Sequence, residues 1–173
     1  SSAASDVYKR QSTKCTKMSR GNIIMTEFMV EDFSSVQTCA ACHADHVSDW
    51  TNSSHAKSMH SPLFFSMWEE EQVYHPDSGE RFCVQCHNPI AFLTGVDLAG
   101  NESLESLENS NLPDQIKHGI SCSVCHTYTA FSPSYFADDN LNASAEYHMY
   151  PGENIFFGSI EDPAFNPHHE SQY

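Results

Sequence analysis

Three copies of one five-residue string decide what this chain can become. They are Cys39-Ala40-Ala41-Cys42-His43, Cys83-Val84-Gln85-Cys86-His87 and Cys122-Ser123-Val124-Cys125-His126. Together they take six of the seven cysteines. Two thiols three positions apart lie on one turn of chain and reach the two vinyl groups of a haem. The adjacent histidine then sits over the iron and binds it through a ring nitrogen. Zinc is the rival, since two Cys-x-x-Cys pairs can make a four-thiolate site. Zinc does not ask for His directly after the second Cys, and three pairs do not divide into closed four-Cys cages. A thioredoxin-like pair fails for the same reason, and the strand–helix–strand pattern it needs is missing. The strings therefore predict three haems c held by Cys39, Cys42, Cys83, Cys86, Cys122 and Cys125, with His43, His87 and His126 as proximal iron ligands.

Eight histidines remain, and haems that take a second axial ligand would use some of them. They are His46, His55, His60, His75, His118, His148, His168 and His169. Such an excess fits bis-His ligation, which leaves no open iron position and suits electron transfer. His118, four residues before Cys122, is placed to serve a neighbouring haem. His46 has a weaker claim, at helical spacing from His43. His60, His75 and His148 read as solvated side chains. Met149 is the best thioether candidate, although methionine more often packs. Cys15 reads as a lone thiol.

Charge and composition narrow the partners. Twenty-three acidic residues against eight basic ones give a net charge of −15. That excludes nucleic acid, whose phosphates need clustered Lys and Arg. It favours redox partners with a basic or neutral docking face, the more so once haem propionates add negative charge. No run of 18 apolar residues exists to span a membrane. Covalent haem attachment of this kind takes place outside the cytoplasmic membrane, so a periplasmic or extracellular location is expected.

Helix signals are short. Ser61-Pro62 opens a helix to Tyr74, Asn88-Pro89 opens one that closes at Gly95, and Leu112-Pro113 opens one that closes at Gly119. Positions 46–60 read as helical with Trp50 on the buried side. Positions 97–112 and 132–168 read as loop, and strand patterns are nearly absent. The expected fold is mostly α with much irregular loop, a multihaem cytochrome c built around haem because its own apolar content, 39%, is thin.

Three segments are expected. Ser1 to Gln11 reverse-translates, across all eleven codons, into a transposase-based sequencing adapter, and is set apart from fold reasoning. Residues 12–34 form a lead segment of unassigned role, and 35–173 form the cytochrome domain, read as a fragment whose signal peptide is missing.

The first string continues through Trp50, Ser53-Ser54-His55-Ala56-Lys57-Ser58-Met59 and Pro62-Leu63-Phe64. Gly119-Ile120-Ser121 leads into the third, and Asn166-Pro167-His168-His169-Glu170-Ser171 follows later. In these features residues 35–173 resemble the tetrahaem cytochrome c-554 family, related to hydroxylamine oxidoreductase-type multihaem cytochromes. The resemblance implies that His55 is a distal ligand, to a haem distant in sequence. It implies that His168 or His169 is the distal ligand at His43, with His169 favoured. It also implies that the haem at His87 can be five-coordinate and that a fourth haem lies beyond residue 173. The leading functional expectation is electron transfer by a carrier. The alternatives are an oxidoreductase acting on a small nitrogen or sulfur oxyanion at an open haem, and a self-assembling subunit of an extracellular filament. Nothing in the sequence supplies a catalytic set for the oxidoreductase: Glu69-Glu70-Glu71 and Asp138-Asp139 read as solvated surface.

Overall fold

The computed structural model describes residues 16–19, 22–25, 28–76, 79–98, 100, 103–130, 148–149, 151, 156–158 and 168. Among them the chain is mostly helical, with short helices joined by irregular chain. The proposed adapter segment, Cys15 and His169 lie outside the described residues.

Helix α1 (Val36–Ala40) and α2 (Ala44–Thr51) flank the end of the first motif, and α3 (Pro62–Tyr74) is the longest helix. Helix α4 (Gly79–His87) carries the second motif and α5 (Pro89–Thr94) follows at once. After α6 (Leu104–Asn109) and α7 (Asp114–Lys117), α8 (Cys122–His126) is the third motif itself. The local reasons are visible in the chain. Ser35 caps α1, its hydroxyl accepting from the Thr38 amide at 3.2 Å. Pro62 occupies the first turn of α3, where its missing N–H costs nothing. Asn88 caps α5 by accepting from the Ala91 amide at 3.2 Å, and α5 closes at Gly95, whose φ of +70° favours glycine.

Asn88 is fully buried, and its amide shows why that is tolerated. Its Oδ1 caps α5 while its Nδ2 donates to the Ile116 carbonyl at 2.6 Å, tying α5 to α7.

The core lies around α3, α4 and α5. Met59, Trp68, Val84, Ile90, Ala91, Phe92, Leu98, Leu107 and Ile116 are all at most 1% exposed and form one cluster. Truncating a buried tryptophan such as Trp68 to alanine costs about 3–5 kcal/mol. By contrast, α2 buries no residue and α1 buries only Val36.

Three local expectations are corrected. The helix read over 46–60 ends at Thr51, and residues 53–60 run as turns, so His55 sits on a turn segment. The loop read over 97–112 contains α6, started by a reciprocal Ser103/Ser106 cap. Four short strands form one sheet: β1 (Thr16–Ser19), β2 (Asn22–Met25), β3 (Tyr128–Ala130) and β4 (His148–Met149), in the order β2-β1-β4-β3. β1 pairs antiparallel with β2 and parallel with β4, and β3 pairs antiparallel with β4. Strands of two to four residues carry too little alternation to register as a pattern, and their pairing is non-local. Met149 is 1% exposed in the core.

Candidate haem-binding site

Each motif puts its two cysteines and its histidine on one short stretch of chain. In the first, the His43 amide donates to the Cys39 carbonyl at 2.8 Å, which closes the turn. In every motif the first cysteine is half-buried and the second is exposed. One edge of each motif is thus open to an incoming group.

Before haem is attached, the thiols differ in acidity. Burial is the main cause that raises Cys83, Cys86 and Cys125 above the ordinary thiol value, with negative charge on Glu71 and Cys86 adding to it at Cys83. Cys39 is the exception. A hydrogen bond from the Cys122 thiol lowers it to about 7, and the same bond raises Cys122. The first thiol of motif one therefore meets the first thiol of motif three, and α1 packs against α8.

Two of the three motif histidines are fixed by main-chain carbonyls from distant segments. The His87 Nδ1 lies 2.8 Å from the Ser58 carbonyl, and the His126 Nδ1 lies 2.7 Å from the Phe157 carbonyl. A carbonyl can only accept, so in both rings Nδ1 carries the proton. The Nε2 lone pair is then the one left for a metal. The Phe157 amide also donates to the His126 carbonyl at 2.7 Å, so this strap holds His126 from both sides.

The third proximal residue, His43, is exposed, and its partner is a ring. His168 lies parallel to it, 10° between planes, with centroids 6.3 Å apart. That gap is too wide for face contact. Two imidazoles that bind one metal at roughly 2 Å each need a span of about 6 Å between ring centres. Phe156 packs on His168 at 4.6 Å. Burial first, then the charges of His43 and His126, push His168 below its ordinary value. His168 thus stands beside the first and third motifs together.

The second motif borders a cleft of about 520 Å³, within the range of ligand clefts, about 300–1,000 Å³. Cys83 and His87 line it together with the apolar Leu63, Phe64 and Met67 and with polar residues that include Asn52, Ser54, Lys57 and Ser58. Leu63 and Met67 are more than half exposed. A flat apolar group in the cleft would cover them. The Phe64 ring stacks on His87 at 4.4 Å.

The remaining candidates fall in different settings. The His55 side chain is exposed, while its carbonyl accepts from the Ile120 and Ser58 amides at 3.2 and 3.3 Å. His118 meets Trp50 edge to face at 5.8 Å, and Trp50 Nε1 donates to the Ile120 carbonyl at 2.9 Å. The His118 Nδ1 is buried without a hydrogen-bond partner, as is the Ser121 hydroxyl beside Cys122. Orphaned buried polar atoms ask for a group to complete them. Burial is the main cause that lowers His118; Asp114 opposes it, and His60 and Lys117 add to it. His46 is exposed 5.9 Å from His43, and His60 Nε2 donates to the Lys117 carbonyl at 3.3 Å. The contacts of Ser58 and Phe157 were missed by sequence reasoning, because backbone carbonyls carry no sequence signature.

The donor set fits haem c. Paired thiols are open on one side, and two imidazoles are held with Nε2 free. This is the class of a c-type cytochrome. The family model for cytochrome c554 and c-prime matches residues 38–127, just over half of the chain, and the chain belongs to that family. No curated protein and no solved structure matches it. Covalently bound haem c and electron transfer follow from the family. No helix among the described residues is long and apolar enough to cross a membrane.

Proposed function

We propose that the chain carries electrons through three covalent haems c, one on each motif. Haem supplies the one-electron iron couple; the chain supplies attachment, axial nitrogen and spacing. The observation that carries this reading is the repeated donor set: three thiol pairs, each followed by an imidazole.

In this reading His43 and His168 ligate the first haem, supported by their parallel rings. Cys39 meeting Cys122 supports a close pairing of the first and third haems, which shortens the path of an electron. His55, with its exposed ring, is a distal ligand to a further haem. His118 is kept neutral, the form that a ligand needs, but its contact with Trp50 supports the simpler role of a packed side chain. The acidic surface supports a basic or neutral redox partner outside the cytoplasmic membrane. An enzymatic role on a nitrogen or sulfur oxyanion is the second reading, favoured by the polar rim of the His87 cleft.

The test is haem content. Protein made in a host with haem-attachment machinery should keep haem through acid–acetone extraction, and intact mass should show three additions. Extractable haem, or zinc in its place, refutes the reading.

A further inference from the structure

The second motif meets the turn segment 53–60 and the lead of the third motif around Ser58 and Gly119, and that contact sits on its histidine. Ser58 contacts His87 twice. Its carbonyl accepts from Nδ1 at 2.8 Å, and its hydroxyl donates to the His87 carbonyl at 2.7 Å. Gly119, three residues ahead of Cys122, closes over the pair. Its φ is +65°, and a Cβ there would overlap the Ser58 hydroxyl and stand 3.1 Å from the His55 carbonyl and 3.4 Å from the His87 carbonyl. The next amide, Ile120, donates to the His55 carbonyl at 3.2 Å. The approach is so close that only glycine leaves the Ser58 hydroxyl where it is.

We infer that Ser58 is a positioning residue that sets the donor strength of His87, and that Gly119, from the lead of the third motif, holds Ser58 in place. This rests on the haem reading above. An Nδ1–H that donates to a carbonyl makes the opposite nitrogen a stronger base, and losing outer-shell partners of this kind costs about 10–100-fold in metal affinity or activity. A stronger donor favours ferric iron. Loosening the Ser58 carbonyl weakens the donor and favours ferrous iron. A change at residue 119 should therefore be read out at the haem of the second motif rather than at its own.

The experiment is redox titration of the haem-loaded protein with S58A, G119A and the double variant. The wave of the second haem is identified by its absence in C83A/C86A. G119A should move that wave upward, by about tenfold in the ferric-to-ferrous ratio at fixed potential, with the other two waves in place. S58A, which keeps the carbonyl and loses the hydroxyl clamp, should move it less. The double variant lacks the overlapping hydroxyl, so it should behave as S58A rather than as the sum. Three unmoved waves in G119A overturn the inference, as does an equal shift of all three. If G119A does not fold, S58A decides alone, and an unmoved second wave overturns it. Absence of covalent haem in the parent protein would instead fail the haem reading.

Discussion

The second motif and the first are built differently. Helix α4 packs between α3 and α5, and the buried Val84 and Gln85 sit inside the motif itself. His87 is held by Ser58 and covered by Phe64. The first motif has no such support: positions 41–46 are all exposed, and α2 buries nothing. Its neighbours are Cys122, His168 and, through His168, His126. The difference teaches where haem replaces protein core. The second site is an attachment point on the edge of a packed body. The third lies between the two: Ser123 and Val124 inside it are buried and Val124 joins the same core cluster, so it is the first motif whose interior a haem would have to supply.

The largest effect should separate these two sites. C39A/C42A should remove one haem and with it the filling beside α1 and α2. The melting temperature should fall by roughly 10 °C, taking the loss of a large buried group as about 3–5 kcal/mol. C83A/C86A also loses one haem, but leaves the Trp68 cluster intact and should cost clearly less. Calorimetry of both, with haem counted by mass, decides. Equal drops would break the comparison.

A smaller and more local effect concerns the distal ligands. H168A should turn one low-spin haem high-spin and add one carbon monoxide site, because it empties the place opposite His43. In the longer parent protein, H55A should do the same at another haem. Electron paramagnetic resonance counts both. If H168A leaves the low-spin count unchanged, the 6.3 Å gap between the rings holds no iron, and His169 becomes the candidate.

Much of this was legible because it is local. The motifs fix six thiols and three imidazoles by spacing alone. Ser61-Pro62 and the Asn88-Pro89 start with its Gly95 stop gave α3 and α5, since caps and proline act within one turn. What escaped depends on contacts far along the chain. The turn segment at 53–60 reads as helical, yet Ile120 and His87 hold its backbone out of that ladder. α6 was hidden because its cap is a Ser–Ser pair rather than Ser–Glu. The strands were hidden because β1 finds β4 more than a hundred residues away. His168 was legible only as one of two neighbours; its parallel setting against His43 is a fact of the fold.

The smallest predicted effect is a pH slope at His118. Burial lowers this imidazole below its ordinary value of 6.5. In the unfolded chain the group therefore takes up a proton at a pH where the folded protein still resists it. Between the two values the unfolded state binds more protons, so stability rises with pH up to about 6.5 and is lost as pH falls below it. Asp114, which faces the ring from α7, limits the size of the slope, and the nearby His60 and Lys117 steepen it. H118Q keeps a polar side chain of similar reach and cannot titrate. It should flatten the slope just below pH 6.5, with the spin state of every haem unchanged. The measurement is chemical unfolding at several pH values beside an electron paramagnetic resonance spectrum of each variant. A ligated imidazole is also barred from protonation in the folded state, so the slope alone does not separate the two roles; one haem turned high-spin by H118Q does. That result would move His118 from the wall beside Trp50 to the iron.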